Sequence, residues 1–318
     1  MSDTPYISWL CHGAVSLAPP AVFTGAKANL FAIDASTAAI QSLADALLNP
    51  AAGTVVHYEA VAPVAIFTFM DIAKCTSATD VVGWLPGREC AIWVPLIEIH
   101  PGFPFRKRVV FWAPYIFIDY TIGMVTGREV WGWPKVASRI VVASDTPGKP
   151  VFSCTTTFFR TMKSDTQGEH AELYRIAQVE VATESFPQWL DGENATQALI
   201  GGLLDRLSAD VLGTLGRCPQ IPSVVLKQFR AADAPQSACF QAIVDSPVEV
   251  TAFNGGGPLL DKFTLDITTC ESHGIVSDLL GRPPDRCSTT LPVRFAAWLA
   301  LDFRALLGNN IASARLEF

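Results

Sequence analysis

Gly127-Arg128-Glu129-Val130-Trp131-Gly132-Trp133-Pro134-Lys135 sets a single lysine behind two indoles and a proline. An ammonium held against apolar walls loses hydration, its charged form becomes costly, and the neutral amine that attacks ketones becomes accessible. The ordinary alternative is a lysine closing a strand, with its stem along the aromatics and its nitrogen in water. The flanking sequence has to decide between the two.

Strand-like runs surround the motif over 54–58, 64–69, 90–97, 109–120, 138–143 and 151–159, each bounded by glycine or proline. Further strands are predicted over 223–229, 238–253 and 262–268. So many short strands in succession favour an antiparallel barrel or sandwich over a doubly wound sheet. Helices are few. Ser36 stands as an N-cap, with Ile40, Leu43 and Leu47 on one face and Asn49-Pro50 as the stop. A second helical stretch is read over 195–215 from Leu199, Leu203 and Leu207, weakened by Gly201-Gly202. Residues 1–20 end in Pro19-Pro20 and read as an arm over the surface or a neighbouring subunit. Beyond Pro283-Pro284, Pro292 is placed to open a terminal helix carrying Trp298, Leu301 and Leu306. The expected organisation is one domain over 1–318, with the arm and a helical tail at 285–318.

Composition narrows the function classes. A net charge of -7 argues against a nucleic-acid partner, because neutralising phosphates takes clustered Lys and Arg. The basic run Arg106-Lys107-Arg108 is short and reads as a solvated loop before a strand. Eight cysteines form no C-x-x-C pair, so zinc is not expected and the thiols should be reduced. The opening residues lack a basic n-region and an apolar h-region, which points to the cytoplasm and leaves Asn194-Ala195-Thr196 unglycosylated. The apolar run 291–307 is interrupted by Arg294, Asp302 and Arg304, so no membrane span is expected. Half of the residues are apolar, an excess that suggests surfaces buried in a homo-oligomer. There is no G-x-S-x-G elbow, no phosphate-cradling loop and no H-E-x-x-H, and Gly255-Gly256-Gly257 reads as a plain loop. No NAD, flavin, PLP or metal cofactor is expected.

The nine-residue motif resembles the lysine-bearing signature of acetoacetate decarboxylases and their relatives, whose usual form is roughly G-R-E-x-x-x-x-P-K-K. Arg88-Glu89-Cys90-Ala91-Ile92-Trp93-Val94-Pro95 is similar to the family segment in which a site glutamate precedes a proline by six residues. Ile221-Pro222-Ser223-Val224-Val225-Leu226-Lys227 and the alternation from Cys239 to Val250 look like the family's later strands, so the resemblance runs from about Phe23 to Leu280. It implies an α+β, mainly antiparallel β fold, an acetoacetate decarboxylase-like β-barrel or double sheet with flanking helices. It also implies that Lys135 forms a Schiff base and that Glu89 lies beside it as an acid/base or orienting group. Activation of a nucleophilic lysine by desolvation or by a neighbouring cation is well known in acetoacetate decarboxylase itself, and it comes to Lys135 with the resemblance.

Two departures matter. Val136 replaces the usual second lysine, leaving desolvation as the source of any activation of Lys135. The arginine that the resemblance places near 23–27, where it would recognise a carboxylate, is absent, and Lys27 offers only a point charge. Arg128 and Glu129 read as scaffold first, Tyr115 and Tyr120 as hydroxyl donors or hydrogen-bonded core. With Trp131, Trp133 and Lys27 they make up the expected substrate pocket. Trp84, Trp93, Trp131 and Trp133 together suggest a larger, flatter, more apolar ligand. The function expected is a cofactor-free lyase acting on a keto substrate by decarboxylating a β-keto acid. The alternatives are an aldolase or dehydratase using the same imine, or a non-covalent cyclase, isomerase or binding protein for an apolar natural product of secondary metabolism.

Overall fold

Alternating side chains from residue 21 onward build long antiparallel strands in the computed structural model, which describes residues 5–8, 16–102, 106–146, 148–181, 220–283 and 287–315. In chain order these are β1 (Ala21–Asp34), β2 (His57–Ala60), β3 (Val64–Ser77), β4 (Leu85–His100), β5 (Arg106–Ile118), β6 (Lys135–Val141), β7 (Val151–Phe158) and β8 (Glu169–Glu180). They continue as β9 (Gln220–Ile221), β10 (Ser223–Arg230), β11 (Ala238–Asp245), β12 (Val248–Pro258), β13 (Lys262–Thr268), β14 (Ser288–Pro292), β15 (Phe295–Ala305) and β16 (Asn309–Arg315). Among the described residues short helices flank them: α1 (Thr37–Leu47), α2 (Asn49–Ala52), α3 (Thr121–Thr126) and α4 (Ile275–Leu280). The expected mainly antiparallel fold with flanking helices is what forms.

The strands are not closed into a barrel. Their path runs β14-β13-β8-β7-β6-β5-β4-β3-β1-β15-β12-β9, with β10, β11 and β16 branching from β5 and β2 pairing β4. The hinge of this path is β6. Its first residues pair in parallel with β5, Lys135 opposite Ile116, and its last four pair antiparallel with β7. One strand thus joins two sheets that fold onto each other. Between them lies the main core. Phe31, Phe67 and Phe117 from one sheet meet Phe152, Phe263 and Tyr174 from the other, with ring centroids 4.9 to 5.8 Å apart and edge-on geometry. Ile40 of α1, Leu48 at its end, and Ile275 and Leu279 of α4 close its side.

Several local readings change. Ser36 does cap α1, its hydroxyl accepting the Ala39 N–H at 3.2 Å. Leu47, however, is exposed and Leu48 takes the core position, while Pro50 opens the single turn of α2 instead of ending the helical path. Arg106 to Arg108 begin β5, and Arg108 is an inner partner: its Nε donates to the fully buried Glu98 at 2.6 Å and its Nη2 to Asp245 at 2.8 Å. Gly255 to Gly257 lie within β12.

The helical tail is the largest correction, because Phe295–Ala305 is a strand between β1 and β12 and Asn309–Arg315 another beside β11. A strand flanked on both edges can be apolar on both faces, and such a run cannot be told from a buried helix by periodicity. The stretch 195–215 and the Asn194 sequon lie outside the described residues. Among the described residues no helix is long and apolar enough to cross a membrane.

Candidate active site

Backbone geometry first fixes the loop that carries the motif. As the chain leaves β5, the Asp119 carboxylate accepts the Arg88 N–H at 2.7 Å and the Asp119 N–H donates to the Arg88 carbonyl at 3.1 Å, pinning the end of β5 to β4. Tyr120 then caps α3 in an extended conformation. Over Gly127–Trp131 the helix widens into a π-helical turn, a distortion frequent at functional sites. The Gly127 carbonyl accepts two N–H groups, from Gly132 and Trp133, both at 3.0 Å. Gly132 ends the turn at φ +93°, and a Cβ there would fall 2.5 Å from the Lys227 Cα, so no other residue fits. The chain can then reverse through Pro134 into β6.

Lys135 opens that strand, and its side chain turns inward over Gly127. A Cβ on Gly127 would lie 2.6 Å from the lysine Cδ and 2.7 Å from its Cε, so this motif glycine is the floor on which the stem rests. The ammonium Nζ donates to Glu89 Oε2 at 2.6 Å. Only 11% of the lysine side chain and 19% of the glutamate are exposed. A carboxylate thus replaces much of the water that the nitrogen has lost, and it can take the proton that the amine must release before it attacks a carbonyl.

Strand alternation decides what else faces this pair. On β4, Cys90 and Ile92 enter the main core, so Glu89, Ala91 and Trp93 project from the opposite face. Cross-strand partners share a face, so Glu89 stands in a row with Ala28 on β1, Met70 on β3, Ile118 on β5 and Leu299 on β15. The adjacent row of the other face is Lys27, Asp71 and Arg88, with Arg88 paired to Asp71 at 3.5 Å and to Asp145. Lys27 is therefore exposed on the wrong side of β1 to serve the Lys135 site.

The remaining pocket candidates separate in the same way. Tyr115 also faces away, its hydroxyl bonded to Asp278 of α4; burial pushes the Asp278 carboxyl up from its usual range. Arg128 and Glu129 are exposed, and the Arg128 guanidinium donates to the Lys135 carbonyl at 3.1 Å, which is a scaffold role. Trp131 is buried, its indole N–H on the Leu306 carbonyl at 2.8 Å. Trp133 packs edge-on to Trp93 with centroids 5.5 Å apart, beside Ala91 and Ile116. Both indoles are bound into an apolar cluster that also holds Ala113, Val225 and Val244. Trp84 lies apart, half exposed under the Lys74 ammonium.

Tyr120 lies over the same helical turn as the Lys135 stem. Its ring fills the space over two glycines, since a Cβ on Gly87 would lie 2.1 Å from it and one on Gly123 2.2 Å. Beside it sits Cys75, which no sequence motif marks. Burial, first among the causes, pushes both the thiol and the phenol above their ordinary range. Cys75 and Tyr120 pack with Ala26, Ile72, Met70 and Phe303 in one apolar cluster. A β-bulge between Ile72 and Cys75 sets the position of that thiol, and a lone cysteine in an apolar strand gives no signal of a bulge.

A separate cavity of about 320 Å³ is lined by Asp34, Ser36, Arg282, Leu291 and Arg294, among others. It contains none of the groups above. Its Arg294 is already paired to Asp34 at 2.7 Å, and none of these lining residues joins a nucleophile to a base. Among the described residues no group of His, Cys, Asp and Glu could hold a metal ion.

No family profile matches the chain, and no curated protein does. Solved structures do. An acetoacetate decarboxylase from Legionella pneumophila superposes with a TM-score of 0.58 at 14% identity, covering 98% of this chain and 99% of that one. The enduracididine biosynthesis enzyme MppR, complexed with the condensation product of pyruvate and imidazole 4-carboxaldehyde, gives 0.58 at 12% identity over 98% and 99%. An acetoacetate decarboxylase-like enzyme from Sphingomonas wittichii RW1 gives 0.56 at 12% over 94% and 95%. The shared property is the fold: the described residues of this chain have the acetoacetate decarboxylase-like architecture.

Proposed function

We propose that this chain is a cofactor-independent lyase in which Lys135 condenses with the carbonyl of a keto substrate, decarboxylating it where it is a β-keto acid. The observation that carries the reading is the 2.6 Å contact between a largely buried lysine nitrogen and a largely buried carboxylate. Glu89 takes a proton from Nζ, and the free amine adds to the ketone carbon. Glu89 then returns that proton to the departing hydroxyl, leaving an iminium on Lys135 beside its own carboxylate. The bond to the carboxylate carbon breaks, its electrons move into the iminium, and carbon dioxide leaves behind an enamine. Protonation at carbon and attack by water release the ketone. That the neighbours of like fold are enzymes, one holding a condensation product of a keto acid and an aldehyde, agrees with imine chemistry on this scaffold.

The same intermediate would serve aldol condensation or dehydration, and one observation favours that branch. Lys27 lies on the opposite face of β1, and the row beside Glu89 is Ala28, Met70, Ile118 and Leu299, which offers no cation for a substrate carboxylate. A ketone with an apolar substituent suits this wall. Borohydride reduction in the presence of candidate ketones tests the imine: an adduct at Lys135, located by peptide mass, is expected. Turnover of a substrate with no adduct, or turnover that survives Lys135→Ala, would leave a non-covalent cyclase or isomerase as the better account.

A further inference from the structure

We propose that Tyr120 is the acid that delivers a proton to the substrate carbon, while Glu89 manages the protons of the nitrogen. This rests on the imine reading. Gly123 and Gly127 are one helical turn apart, with the Gly127 N–H bonded to the Gly123 carbonyl, so their exposed edges are neighbours about 5–6 Å apart. The Tyr120 ring lies over the first, its hydroxyl 2.7 Å from where a Cβ would be, and the Lys135 stem lies over the second, its Nζ 3.3 Å from the equivalent point. From the opposite wall, Gly87 and Glu89 are alternate residues of β4 and therefore face the same way. The ring occupies the space of the side chain that Gly87 lacks, and the ammonium meets the carboxylate of Glu89. Phenol and amine thus lie side by side in one slot between strand and helix. Two glycines keep the slot open for the ring and a third for the lysine.

A division of labour follows from occupancy. Glu89 is held by Nζ, and after dehydration it faces the iminium nitrogen. The enamine carbon lies one bond further out and needs its own donor. In the step assigned here, the nitrogen lone pair pushes through the carbon–carbon double bond, carbon takes the proton from the Tyr120 O–H, and phenolate and iminium form together as an ion pair. The water that then attacks the iminium gives its proton to the phenolate, restoring the phenol. No oxidant, metal or further reactant is required. Burial disfavours a lone phenolate, and the adjacent iminium charge offsets that cost. Cys75, Ala26, Ile72 and Phe303 pack around the ring.

The test separates nitrogen from carbon chemistry in the full chain. With benzylacetone in deuterium oxide, borohydride trapping reads imine formation, and exchange of the α-hydrogens reads proton transfer at carbon. Tyr120→Phe is expected to keep trapping at the wild-type level while exchange falls about 100-fold. Equal exchange in variant and wild type would overturn the proposal, as would parallel loss of trapping and exchange, which marks a packing role. A chain carrying ring-fluorinated tyrosine at position 120 retains the shape of the slot and should change the exchange rate while trapping holds at the wild-type level; an unchanged exchange rate also overturns it. Absence of any adduct in the wild type is a different failure, that of the imine reading itself.

Discussion

At the scale of single residues, the site depends on a missing methyl group as much as on a charged one. The Lys135 stem lies where a Cβ of Gly127 would be, so Gly127→Ala must lift the stem and draw Nζ away from Glu89. Borohydride trapping should drop at least about tenfold, as misplaced catalytic groups lose rate steeply, while the melting temperature moves little. Wild-type trapping in that variant would show that the contact is not limiting. Glu89→Gln removes the proton acceptor but keeps the shape, and turnover should fall by about 100-fold or more; a loss under threefold would reduce Glu89 to a structural partner. The lysine and the glutamate were legible in the sequence because each sits in a motif with fixed spacing. Lys27 and Tyr115 were not, because one residue of register decides which face of a strand a side chain takes. Cys75 was hidden by a bulge.

At the scale of elements, the turn between α3 and β6 is the piece that cannot be rebuilt from other residues. Gly132 combines φ +93° with a neighbouring backbone at 2.5 Å. Gly132→Ala should therefore cost more than about 2 kcal/mol, the strain of the conformation plus the displacement of β10. Calorimetry showing an unchanged melting temperature would contradict this account of the turn. On the other side of β5, His273 packs against the rings of Tyr115 and Phe117, with Asp278 bonded to that tyrosine. Burial lowers the His273 pKa from its ordinary value near 6.5, so the folded state resists protonation there while the unfolded chain accepts it. The unfolded state then binds more protons below about pH 6.5, and this residue's contribution to stability is lost as pH falls. Asp278, raised by burial, acts with the opposite sign over the lower range above its ordinary 3.8. His273→Gln should flatten the loss of melting temperature between about pH 7 and 5; an unaltered slope would exclude the histidine as its source. The pairing of Tyr115 with Asp278 leaves no mark in the local sequence, since nothing local brings α4 to β5.

At the scale of the molecule, two sheets joined through β6 bury one set of side chains between them and leave the reverse face of the larger sheet for chemistry. The strand-rich character was visible in the alternation, and the fold expectation came from it together with the lysine motif and the resembling segments at 88–95 and 221–250. The open path of the sheet and the strand identity of 295–305 were not visible, because they follow from which neighbours flank a strand and not from its own pattern. That reverse face carries Leu30, Thr68, Met70, Trp93, Leu299 and Leu301, all half-buried, around the Lys135 and Glu89 pair. A ligand whose carbonyl reaches Lys135 must lay its remainder against this surface. Burying a phenyl group there is worth about 2 kcal/mol, which corresponds to roughly a 30-fold gain in affinity. Benzylacetone should therefore reach half-maximal trapping at a concentration about 30 times lower than acetone does. Acetoacetate, whose carboxylate finds no cation in the row beside Glu89, should gain nothing over acetone in the imine-forming step. Equal half-saturation for acetone and benzylacetone would mean that this face does not bear the substrate, and a strong preference for acetoacetate would mean that a carboxylate-binding group reaches the site from elsewhere in the chain.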